Sequence, residues 1–190
     1  MISSSLLLPF LIIQLSVAFS PGLIIALVVN QSVQNSRRKG IEVGLGAAVA
    51  AIGLTFISAL VVSLIVNTVP VMITVIYFIG SVYILIKGYQ TITTTISSEA
   101  VIGNNTAFLS GLKVNLVNPK MWVLYLTVLP IYMNDDNGYF LSLVYLGLIA
   151  LLINFIADIT YAYTSNFFFK NSSKQTKVLI NKLSGISLLI

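Results

Sequence analysis

Residues 107–133 read AFLSGLKVNLVNPKMWVLYLTVLPIYM. The run is long and apolar enough to cross a bilayer core of about 30 Å, which takes about 20 residues of α-helix. Its middle nevertheless carries Asn115, Asn118, Pro119 and Lys120. Proline inside a helix removes a backbone donor and clashes with the preceding turn. Asn followed by Pro is instead the chemistry of a helix start, an N-cap side chain and then a ring at the first helical position. The stretch reads as a membrane-spanning helix interrupted near its centre. Leu6 to Asn30 reads the same way, with Ser20-Pro21-Gly22 in its middle and Ser20 as the N-cap.

Working outward, Ile41 to Val66, Val69 to Ile86 and Tyr139 to Tyr163 are uninterrupted apolar stretches of spanning length. A sixth, Val178 to Ile190, has only 13 residues and reaches about 20 Å, so it spans only with flanking lysines snorkelling or the bilayer thinned. The whole chain of 190 residues is 57% hydrophobic and 8% charged, where a soluble domain carries about 25% charged residues. That excludes an ordinary soluble globule. With no Cys and no His, disulfides, thiol redox chemistry, Ser-His catalysis and zinc hydrolysis have no side chains to work with. The expectation is a non-enzyme without cofactor or metal.

Basic residues near span ends favour the cytoplasmic side. Arg37, Arg38 and Lys39 follow the first span, Lys87 the third, and Lys170, Lys174 and Lys177 the fifth; the opposite connections carry only Asp135 and Asp136. With six spans this bias puts both termini outside. Lys87 to Thr106, rich in Thr, Ser and Asn, reads as a flexible connection, residues 91–106 linking a first repeat at 1–90 to a second at 107–190. An offset of 98 residues superposes Phe10 on Phe108, Leu11 on Leu109, Pro21 on Pro119 and Gly40 on Gly138, and it sets Arg37 and Arg38 over Asp135 and Asp136. Three spans separate the halves, so equivalent connections face opposite sides and should carry opposite charge. That is the pattern of an inverted repeat. Such repeats are common in secondary transporters, which bind substrate near the midplane on interrupted helices.

The sequence thus predicts an all-α integral membrane protein of about six transmembrane helices, arranged as two inverted three-helix repeats with the first and fourth helices interrupted. Two half-helices starting at the breaks would aim free N–H groups and positive dipole ends inward, a site for a carboxylate. Ser20, Pro21, Gly22, Asn115, Asn118, Pro119 and Lys120 are the candidate substrate-binding residues. Lys120 and Asp158 are expected as a buried pair, Asp158 serving as counter-ion or proton-coupling carboxylate. Pairs of this kind also serve only to fix helix register. Lys113 is expected to snorkel, Glu42 to be a solvated interfacial charge, and Trp122, too deep for an interfacial belt, to line the cavity. Gly40, Gly44, Gly46, Ala47, Ala48, Ala50, Ala51 and Gly53 in the second span supply the small surfaces that let helices approach closely.

Taken in order, these pieces resemble the LysE family of amino-acid exporters, the RhtB type, over essentially the whole chain. The resemblance rests on Phe19-Ser20-Pro21-Gly22, Arg37-Arg38-Lys39-Gly40, Gly80-x-x-Tyr83 with Gly88, Tyr161-Ala162 and Asn181-Lys182-x-x-Gly185. Its most specific part is Gly111-x-x-x-Asn115-Leu116-x-Asn118-Pro119-Lys120 with Leu129-Pro130. The resemblance implies a plasma-membrane exporter of amino acids or related small metabolites, driven by proton antiport. Its implied partners are an amino-acid-like small molecule, protons and the lipid bilayer, with a homo-oligomer compatible and no nucleic acid. Family members usually continue further beyond Ile190. Ala47 and Ala51 stand where many relatives have Gly, and an acid that some relatives carry in the second span is absent beyond Glu42. A cationic side chain would need such an acid. Two other readings compete: a divalent-cation exporter of the wider superfamily, which would want several carboxylates or imidazoles around one cavity, and a non-transport assembly partner whose polar membrane residues glue helices.

Overall fold

The structure is a computed structural model that describes residues 4–20, 22–68, 78, 107–133 and 138–169. Helices account for all its regular elements among these residues. In chain order they are α1 (Ser4–Phe19), α2 (Leu23–Gln34), α3 (Arg37–Thr68), α4 (Ala107–Leu116), α5 (Pro119–Val123) and α6 (Tyr139–Phe169). After α5 the chain continues as a π-helix, Leu124–Val128, and then a 3₁₀ turn, Leu129–Tyr132. The third and sixth expected spans, the 91–106 link, Pro21, Lys87, Asp135, Asp136 and Lys170 to Lys177 lie outside the described residues.

Two helices, Arg37–Ile65 and Tyr139–Ser165, are long and apolar enough to cross a membrane, and a third crossing is made if α1 and α2, bent by 48°, count as one span. Along α3 the exposed large residues are Leu45, Val49, Ile52, Phe56, Leu60 and Leu64, with Ile57 beside them, and along α6 they are Leu141, Tyr145, Leu148, Leu152 and Ile156, then Tyr163 and Phe167. The spacing of three and four draws one stripe down each helix. These stripes are apolar, while the opposite, buried faces hold Thr55, Ser58, Ser142, Asp158 and Ser165. In water that arrangement would be inside out; in a bilayer it turns the stripes to lipid and gathers the polar groups inside the protein.

The small residues of the second span act in packing, as their spacing predicts. α3 meets α4 so closely that a Cβ on Gly46 would run into the carbonyl of Phe108, and one on Gly111 into the carbonyl of Val43. Each helix thus presents a glycine to the other's backbone. Gly147 of α6 fits against the side chain of Thr55, whose methyl would lie 2.5 Å from a Cβ placed on the glycine. Among the described residues, none lies within 4 Å of where a Cβ on Gly53 would be. One packed core joins Phe10, Leu54, Val62, Tyr125, Leu129, Tyr132, Leu143 and Leu146, and a smaller one joins Ile24, Val28, Val43, Ala47, Ala107 and Ala162.

A helix, a break, a second helical piece and a long helix occur in residues 4–68 and again in 107–169. The individual superposed residues do not share surroundings. Phe10 is 1% exposed and Phe108 38%; Gly40 packs inside the first turn of α3 against Ser32, whereas Gly138, at φ 77° before α6, has none of the described residues within 4 Å of where its Cβ would be.

Candidate functional site

The two breaks are built differently. At the first, the Ser20 N–H donates to the Val17 carbonyl at 3.3 Å and so closes the last turn of α1. Ser20 is therefore not the N-cap that its position before proline predicts; the α2 cap is Gly22, extended at φ −157° and ψ −172°, with no side chain to offer. The first-turn N–H groups of α2 are left without a side-chain cap. At the second break the reading holds. Asn118 is extended, its Oδ1 accepts the Lys120 N–H at 3.1 Å, and Pro119 takes the first helical position. The indole N–H of Trp122 donates to the Leu116 carbonyl at 2.7 Å, covering the end of α4. Trp122 does not line the cavity, contrary to the depth argument, because its ring folds back across the break.

Lys120 reaches across to the first break. Its ammonium donates to the carbonyls of Val17 at 2.7 Å and Ser20 at 2.8 Å. The Tyr161 hydroxyl donates to the carbonyl between them, that of Phe19, at 2.8 Å, and the two rings lie 6.3 Å apart. Carbonyls at a helix C-terminus have no intrahelical donor and carry partial negative charge, which is why an ammonium settles there. Lys120 and Asp158 line one cavity and interact electrostatically, as the expected pair would, but their charged groups are not in direct contact; among the described residues the ion pairs in contact are Arg38 and Lys39 with Glu42, at 3.5 and 2.8 Å. Glu42 thus belongs to the surface charge cluster, as expected, and Lys113 is exposed.

Between the breaks lies a cavity of about 40 Å³, room for a few waters at about 10–15 Å³ each. Ser20, Gly22, Asn115, Asn118, Lys120 and Asp158 all line it, so six of the candidate residues converge; Pro119 is buried behind them. Ala47, Ala48, Ala51 and Leu151 form apolar wall. Asp158 sits against the bare face of Gly44, where a Cβ would lie 3.0 Å from its own Cβ. Asn115 donates to the Ala47 carbonyl at 2.7 Å, and its Oδ1 is buried without a hydrogen-bond partner among the described residues.

Two further polar residues escape the sequence argument. Gln14 is fully buried and donates to Asn154 Oδ1 at 3.3 Å and to the Ala150 carbonyl at 3.4 Å. Asn154 lines the cavity one turn before Asp158, and its Nδ2, like Gln14 Oε1, is buried without a partner among the described residues. A search of apolar stretches for uncharged amides, rather than for ionisable groups alone, would have found both.

A comparison with protein families matches residues 15–190 to the LysE type translocator family. No curated protein and no solved structure matches the chain.

Proposed function

We propose, since this chain belongs to the LysE type translocator family, that it exports small neutral amino acids or close analogues across the plasma membrane by alternating access. Family membership and its apolar helices make it a multi-pass membrane protein that transports small molecules. The supporting observation is the chemistry of the cavity: donors on one side and acceptors on the other, enclosed by apolar wall. The uncapped start of α2, with Leu23, Ile24 and Ile25 on the cavity, and the Nδ2 of Asn154 suit a carboxylate. Lys120 adds the N–H that its two carbonyls leave free, since an ammonium has three donors. Asp158 and the Oδ1 of Asn115 suit an ammonium. These are the two ends of a zwitterion.

The site lies about 15–20 Å along α3 from Arg37, at Ala47 to Ala51, which is midplane depth for a bilayer core of about 30 Å. Proline-marked breaks at that depth follow the logic of transporters whose discontinuous helices hold the substrate. In this reading the cavity as it stands is closed, and the bend at Ser20 to Gly22 opens to admit cargo. Asp158 takes either the substrate ammonium or a proton, which gives an antiport cycle. The two halves act as inverted repeats, with Arg37 to Lys39 on the cytoplasmic side. Among the described residues Asp158 is the one acid on the cavity, and it is already engaged by the α-ammonium, which disfavours lysine and arginine as cargo.

Uptake of a mixed amino-acid panel into inside-out vesicles, with and without an imposed proton gradient and read by mass spectrometry, tests this. Gradient-dependent accumulation of neutral amino acids, lost in Asp158→Asn, is the expected result. No accumulation of any amino acid by intact, inserted protein would overturn it.

A further inference from the structure

The end of α1 has the composition of a cation-binding site. Val17, Phe19 and Ser20 offer their carbonyls within about one turn, and each of the three accepts from a donor far away in the chain. Two of those bonds come from a single ammonium, that of Lys120, at 2.7 and 2.8 Å. The Asp158 carboxylate faces the same cavity. Carbonyls at a broken helix's C-terminal end, beside a carboxylate and at membrane depth, are the ligands by which transporters hold a small monovalent cation. The negative end of the α1 dipole adds to their attraction.

We propose that this is a monovalent-cation site and that Lys120 is its tethered occupant, standing where a free sodium or primary ammonium ion would otherwise sit. The charge balance supports it. Without Lys120, two carbonyls and a buried carboxylate would face a low-dielectric interior with no cation, a costly arrangement. With it, the site is filled permanently and needs no ion from solution. The protein therefore has no sodium requirement of its own, and truncating Lys120 creates a vacancy with the shape of the atoms removed, those of propylammonium.

The test is thermal unfolding of the purified protein, followed by the fluorescence of its single tryptophan, Trp122, in propylammonium, sodium or N-methylglucamine chloride at equal ionic strength. Lys120→Ala should melt about 3 °C or more higher in propylammonium than in N-methylglucamine, which is too bulky to enter, a shift of the size that ligand binding gives a chain of this length. A matching gain in sodium would show that the site also takes a bare ion. The native protein should melt alike in all three salts. Equal melting of Lys120→Ala in the three salts, or a sodium-specific gain by the native protein, would overturn the proposal. Should Lys120→Ala not yield folded protein, Lys120→Arg and Lys120→Met decide: folded yield kept by Arg and lost by the neutral isostere supports a cation requirement, and equal yields overturn it. The readout involves no transport, so failure here leaves the amino-acid reading standing, and failure of that reading leaves this one.

Discussion

The break between α4 and α5 carries its own fastenings, whereas the break between α1 and α2 borrows them. Asn118 caps the helix that follows it, and Trp122 covers the carbonyl of Leu116, six residues back. The first break has a cap residue with no side chain, and the carbonyls that end α1 are held by Lys120 and Tyr161, 100 to 142 residues away. Local bonds survive a shift of neighbouring helices; long-range ones do not. The second break is further fixed because α4 is seated on α3 through Gly46 and Gly111. Under the proposed alternating-access cycle, the first break is the one that moves, and the second is the frame it moves against.

The strongest way to break this contrast is to unseat the frame. Gly111→Ala or Gly46→Ala places a methyl against the backbone of the facing helix, which neither helix can evade by a side-chain movement. We predict a loss of about 3 kcal/mol or more, at the upper end of overpacking costs, seen as little or no monodisperse protein on size-exclusion chromatography. Next in size is Asn118→Ala, which removes the cap and costs about 1 kcal/mol, read as a fall in Tm of about 2–4 °C.

Tyr161→Phe and Trp122→Phe sharpen the contrast, since each removes one hydrogen bond, worth about 1 kcal/mol, from one break only. Hydrogen exchange should rise around residues 17–23 in Tyr161→Phe with 116–120 unchanged, and the reverse in Trp122→Phe. Exchange that rises at both breaks in both variants would show that the two are one unit. The smallest effect belongs to Gly53→Ala, where a methyl meets none of the described residues. Its Tm should match or exceed the native value, helix propensity favouring Ala by up to about 1 kcal/mol.

Much of this architecture is written in single residues. Asn118-Pro119 declares its helix start because both the cap and the ring act locally, within three residues. Ser20-Pro21 carries the same signal and is misread, because the start moves to Gly22 when Ser20 closes α1 instead. The seat of α3 on α4 is legible as small residues, but which glycine meets which carbonyl is not, since that depends on the crossing. Lys120 illustrates the limit most clearly. Its place beside the cavity follows from its position next to Pro119, while its partners are backbone carbonyls that any sequence possesses, so no residue pattern announces them. Gln14 and Asn154 were legible in principle, as amides inside apolar runs. The third and sixth expected spans lie outside the described residues.

The π-helical stretch Leu124–Val128 gives the chain one residue of slack. Its wider turn accommodates one residue more than an α-turn would, and beyond it Leu129 and Tyr132 face the core while Ile131 faces outward. Deleting a single residue from this stretch would let it rewind as α-helix with the faces on either side kept, whereas the same deletion in a regular α-helix turns everything beyond it through about 100°, one residue's share of a turn. Phe10, whose ring lies 5.6 Å from that of Tyr132, would keep its neighbour. A change of length that elsewhere would act as a rotation is absorbed here.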